Sequence, residues 1–314
     1  LLLDKRHQEL GCQVSTFFYT KIGISAAVNI DWHPDNNITK YTVSFPLINE
    51  TGTLEAEYFK QKSPGRKKLI IVLPIIDSTA FVGKHYAHVM TSWGGNTDFN
   101  VLLVKETKKI FLLDEMQQSL TSPEFLSYLT ASATNIRNYV INVRRLLDWA
   151  EELEDIDHAR VGIIGGSIAA SFASLVMATD GRIVAGVFDK GGGNLHHMFV
   201  DSEEPKIKKT REIALKKFGW IKEKLERLAE PIFCNINPTL LARNIDTNKV
   251  LFISAKNDVW LGSRSVESFW QALREPERID YLTSHRVAFL LSLTFFGGHY
   301  TDLKIFNHFK NKLQ

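Results

Sequence analysis

Apolar positions along this chain fall into short unbroken runs, separated by longer stretches in which they recur every three to four residues. Such runs are the mark of strands buried on both faces, and the longer stretches that of helices packed over them. Residues 67–76 begin charged and turn continuously apolar up to Pro74, as a central parallel strand does. Residues 101–104, 161–164, 183–188, 249–254 and 278–282 repeat the pattern. Between them, residues 80–90 read as a crossover helix. Ile136, Tyr139, Val140, Val143, Leu146, Leu147 and Ala150 mark one face of a long helix whose other face carries Arg137, Arg144 and Arg145. Val266, Phe269, Trp270 and Leu273 mark another, and residues 287–296 and 303–313 read as closing helices.

Ahead of the first run, residues 41–48 and 53–59 alternate around the turn at 49–52 and predict an antiparallel pair. Residues 1–35 show little periodicity. The strand rhythm also stops between 195 and 245, where a charged helical stretch at 203–230 leads to Pro231 and Pro238. The organisation expected is α/β: a mostly parallel sheet wrapped on both faces. Residues 1–66 form a leading extension, 67–314 the core, and 195–245 a helical cap inserted over the strand ends.

The order of the runs gives one junction special weight. The apolar run 161–164 is followed by Gly165, Gly166 and Ser167, then by Ala169, Ala170, Phe172, Ala173, Val176 and Met177 at helical spacing. Strand, sharp turn and helix are the context in which G-x-S-x-[GA] is a nucleophile elbow. Small neighbours let the helix start close against the strand, so that the Ser167 hydroxyl stands proud of the sheet. A phosphate-binding reading of the same turn lacks the Lys of G-x-x-x-x-G-K-[ST], and no G-x-G-x-x-G is present.

Composition narrows the picture further. With 314 residues, 44% of them hydrophobic, one large core can be built without a second domain. A net charge of +3, from 38 basic and 35 acidic residues, is too balanced for a nucleic-acid binder. No apolar run reaches the ~18 residues of a membrane span. Cys12 and Cys234 are too few for a disulfide framework, and their pairing stays open. The first residue is Leu, so a processed or trimmed product is expected, and cytoplasmic and exported locations both remain open.

A serine is inert at neutral pH unless a base takes its proton and a third group orients that base. Downstream, the strand in KVLFISAKND ends at Asp258, and YLTSH places His285 at the end of the next strand. The order Ser, Asp, His is that of the α/β-hydrolases. From about residue 67 onward the chain resembles the esterase and dienelactone-hydrolase-like branch of that superfamily. The resemblance rests on LPIIDST, GGSIA, INPTLLARNI, ISAKNDVWLG and YLTSH. It implies an eight-stranded sheet, a Ser-His-Asp triad, an acyl-enzyme formed from a small-molecule ester, and no cofactor. The HGGG oxyanion motif of many lipases is absent. Backbone amides suffice for an oxyanion hole, so Ile75 or Ile76 would serve with Ile168, although Asp77 nearby is an unusual neighbour for an oxyanion.

Other assignments stay open at this level. His299 in GGH is the alternative base, and Asp189, at the end of residues 183–188, the alternative acid. His196 and His197 read as surface or pocket-lining residues, and not with Asp189 as a metal site, because adjacent histidines usually cannot both face one ion. His85 and His88 read as helix-face residues, and Lys206, Lys208, Lys209, Lys216 and Lys217 as a solvated face. On the same fold an acyltransferase keeps the triad and excludes water, and a non-catalytic hydrolase-like binding protein is the reading of a different class.

Overall fold

The structure is a computed structural model that describes residues 12, 14–21, 23, 25–48, 51–74, 81–95, 97–105, 110–293 and 298–314, the side chains of 14, 15, 292, 293, 298 and 299 aside. Nine strands form one sheet: β1 (Ala27–Asp31), β2 (Ile38–Pro46), β3 (Thr53–Gln61), β4 (Lys67–Leu73), β5 (Phe99–Val104), β6 (Ile156–Gly166), β7 (Ile183–Asp189), β8 (Val250–Ala255) and β9 (Glu277–Tyr281). Their order is β1-β2-β3-β5-β4-β6-β7-β8-β9. The first three pair antiparallel, β3 is antiparallel to β5, and every pair from β5 to β9 is parallel.

The sheet thus has one strand more than the eight expected. The addition is β1, which lies in the stretch that shows little periodicity. As an edge strand with almost every residue exposed, it has no buried face to impose alternation. The central runs are unbroken because both faces are covered. Along β4, Leu69, Ile71 and Leu73 enter one core while Ile70 and Val72 enter the other.

Eleven helices appear among the described residues: α1 (Phe81–Ser92), α2 (Leu113–Gln118), α3 (Ser122–Ala150), α4 (Ile168–Thr179), α5 (Leu195–Asp201), α6 (Pro205–Phe218), α7 (Lys222–Phe233), α8 (Pro238–Leu241), α9 (Ser263–Ala272), α10 (His285–Leu293) and α11 (Gly298–Lys312). The expected single charged stretch at 203–230 is two helices, because Gly219 adopts φ 63° and ends α6. Pro205 sits in the first turn of α6, with the Glu204 side chain accepting from the Ile207 amide at 2.8 Å. None of the described helices is long and apolar enough to cross a membrane.

Cys12 and Cys234 form a disulfide that joins positions 222 apart, tying the N-terminal segment to the end of α7. In the chain-entropy view, closing so long a loop disfavours the unfolded state by about 5 kcal/mol.

In α11, His308 is buried and contacts the Lys249 carbonyl at 3.2 Å, and burial pushes its imidazole down to about 4 from 6.5. The unfolded chain therefore takes up this proton first. The associated stability is intact above pH 6.5 and is lost as pH falls toward 4, amounting to about 3 kcal/mol. Urea unfolding at pH 7 and pH 4.5 should show this loss, and His308→Gln should flatten the dependence by about one proton. An unchanged pH slope in the variant would contradict the assignment.

Candidate active site

The parallel register sets the site. Gly166 pairs with Asp189, Asp189 with Ile253, and Ala255 with Tyr281, so β6, β7, β8 and β9 end along one edge. The turns that leave this edge carry the candidate side chains, at the place where parallel sheets bind their ligands.

Ser167 stands between β6 and α4 with φ 55° and ψ −134°, a backbone that L-residues rarely adopt. Two main-chain bonds hold it there. Its amide donates to the Asp189 carbonyl at 2.8 Å, and its own carbonyl accepts from the Ala170 amide at 2.9 Å. Gly165 is required by close approach, since a Cβ there would strike the Ala169 carbonyl. Ile168 is the first residue of α4, so its amide is among the donors that an α-helix leaves without an internal partner.

Three side chains meet at this edge. Ser167 Oγ is 3.0 Å from His285 Nε2, and His285 Nδ1 is 2.6 Å from Asp258 Oδ2. His285 and Asp258 are only 3% and 4% exposed. The other Asp258 oxygen, Oδ1, accepts from the amides of Trp260 and Leu261 at 2.9 and 3.0 Å, which fixes the carboxyl plane. With an acceptor facing Nδ1, that nitrogen carries the imidazole proton and Nε2 is left to accept from the serine. The loops are also joined by main chain: Lys256 and Asn257 amides donate to the carbonyls of Tyr281 and Thr283, at 2.8 and 3.1 Å. His285 is clamped between rings, with Trp260 stacked at 5.4 Å between centroids and Phe289 edge-on at 5.2 Å.

The alternative acid stands elsewhere. Asp189 is wholly buried and bonded to Lys190 Nζ at 2.7 Å and to the Tyr86 hydroxyl. Lys190, also wholly buried, lies over the Phe289 ring at 4.0 Å and the Tyr281 ring at 5.2 Å. Burial pushes its ammonium below the usual lysine value, with Asp189 opposing. His299 falls in α11, and its side chain lies outside the described residues, as do Ile75, Ile76 and Asp77. The closing helix expected from residue 287 starts two residues earlier, so that His285 is the first residue of α10.

Sequence reasoning did not find Lys190, Trp260 or Phe289. The DKGGG turn held the only signal for Lys190. Its glycines thread between helices: a Cβ at Gly191 would strike Ala170, at Gly192 Ser265 and at Gly193 Thr239. His85 bonds Asp302 of α11 at 2.8 Å and His88 is exposed, as helix-face residues.

No family model matches this chain, and no curated protein matches it by sequence. Solved structures do. An acetyl xylan esterase from Paenibacillus sp. R4 superposes with a TM-score of 0.67 at 13% identity, over 93% of this chain and 90% of that one. An esterase of Pyrococcus furiosus gives 0.57 at 15% identity, over 95% and 100%. An acylaminoacyl peptidase of Pyrococcus horikoshii gives 0.57 at 12%, over 88% of this chain and 42% of that one. At such identities the likeness is one of architecture: the chain has the α/β-hydrolase fold that these esterases share.

Proposed function

We propose that the protein is a serine hydrolase of carboxylic esters, with Ser167 as nucleophile, His285 as general base and then acid, and Asp258 as the group that orients it. The observation that carries this reading is the hydrogen-bonded line Oγ–Nε2, Nδ1–Oδ2 at 3.0 and 2.6 Å, mounted on a strained strand-to-helix turn. Ser167 Oγ attacks the ester carbonyl carbon while its proton passes to His285 Nε2. The resulting oxyanion is held by the Ile168 amide and by one from Ile75 or Ile76, each worth about 3 kcal/mol in the transition state. Collapse expels the alcohol, which takes the proton from His285. Water, activated by the same nitrogen, then releases the acid.

In this reading residues 195–245, set between β7 and β8, act as the cap, and residues 1–66 as a leading extension. The disulfide fits an oxidising compartment.

A fluorophosphonate probe tests the proposal directly. The folded protein should be labelled at Ser167, located by peptide mass mapping, and Ser167→Ala should take up none. A folded wild-type protein that stays unlabelled would overturn the reading.

A further inference from the structure

Outside the Ser167 site, three metal-ligating side chains meet where α5 packs on α7. His196 and His197 lie in α5 and Glu226 in α7, and one donor atom from each lies within 4.8 Å of the other two. His197 Nε2 is 3.2 Å from Glu226 Oε1. The imidazole rings are in contact, with centroids 4.2 Å apart. Among the described residues the Nδ1 atoms of both histidines are buried without a hydrogen-bond partner, a costly arrangement for a polar atom, and His196 is only 4% exposed.

Charge points the same way. Three carboxylates, Asp201, Glu226 and Glu230, act on the pair, and one cation, Arg264, opposes them. Arg264 holds Asp201 at 2.8 Å and Glu226 at 3.1 Å.

We infer that His196, His197 and Glu226 form a binding site for a divalent transition metal of the Zn2+ class. Two imidazoles and a carboxylate are a recurrent zinc ligand set, with a fourth position left to water. Tetrahedral bonds of ~2.0–2.1 Å place donors roughly 3.3 Å apart, the present separation of His197 and Glu226. The third ligand closes by a shift on the order of 1 Å in the His196 ring. Arg264 keeps hold of the carboxylate from outside and orients it. The metal would staple α5 to α7. Beyond α5, Glu203 donates its amide to the Val259 carbonyl at 2.7 Å, so the staple also steadies the loop that carries Asp258.

Calorimetric titration of the metal-stripped full chain with Zn2+, and the ligand-field spectrum of the Co2+ form, test the site. The expected result is one saturable equivalent and a tetrahedral Co2+ spectrum. Glu226→Gln, which is isosteric and partly exposed, should weaken binding by roughly tenfold or more, as should His197→Gln. Ser167→Ala should bind as wild type does, which separates this inference from the proposed reaction. Absence of saturable binding to the folded chain, or equal affinity in Glu226→Gln and His197→Gln, would overturn it.

Discussion

His285→Ala is expected to lower kcat/KM for a short p-nitrophenyl ester by roughly 10⁵-fold or more, and Ser167→Ala by a similar factor. The magnitude follows from the two groups acting as a unit. Without Nε2 at 3.0 Å the hydroxyl keeps its proton, and without the hydroxyl the base has nothing to activate. The double variant should therefore be no slower than either single one, leaving the residual rate that the oxyanion donors alone supply. Asp258→Asn should cost on the order of 10⁴, because an amide facing Nδ1 no longer selects the tautomer that leaves Nε2 free. His299→Ala should leave most of the activity. Steady-state kinetics on the five variants check this, and the opposite ranking of the two histidines would refute the assignment of the base.

Lys190→Met is expected to destabilise the protein by about 3–5 kcal/mol, an effect confined in other proteins to broken buried ion pairs and large cavities. The ammonium and the Asp189 carboxylate are both wholly inaccessible to water, and the substitution leaves the carboxylate buried with the Tyr86 hydroxyl as its remaining side-chain partner among the described residues. Converting both to neutral groups, as in Asp189→Asn/Lys190→Met, should recover most of the loss. A double-mutant cycle by urea unfolding measures the coupling. A single variant as mild as a surface change, or a double variant no better than the single, would contradict the role given to the pair. The pair matters to the site through its surroundings. The Asp189 carbonyl holds the Ser167 amide, and the Lys190 ammonium packs on Phe289, whose ring supports His285.

Much of this was legible before any coordinates. The unbroken runs became β4 to β8 because strands covered on both faces have no polar side to show, and the crossover and elbow helices lie within a few residues of their expected ends. Ser167 was legible because a strained turn needs small residues on both sides, and Asp258 because it closes a buried strand. Features with no local period were not. The strand β1 lacks a buried face, Gly219 divides what reads as one charged helix, and α10 begins at His285, two residues ahead of its expected start.

What the sequence determined by itself is therefore the order of elements, the edge at which they end and the residue types delivered there, since periods of 2 and 3.6 act over neighbouring positions. Which of the distant groups meet was decided only by the tertiary structure. Strand register set Gly166 beside Asp189 and Asp189 beside Ile253, and main-chain bonds between the two loops brought Asp258 rather than Asp189 into line with His285. Packing of α5 on α7 set Glu226 beside His196 and His197, and the same folding brought Cys12 to Cys234. These pairings join residues from about 20 to more than 200 positions apart, and no local periodicity extends that far.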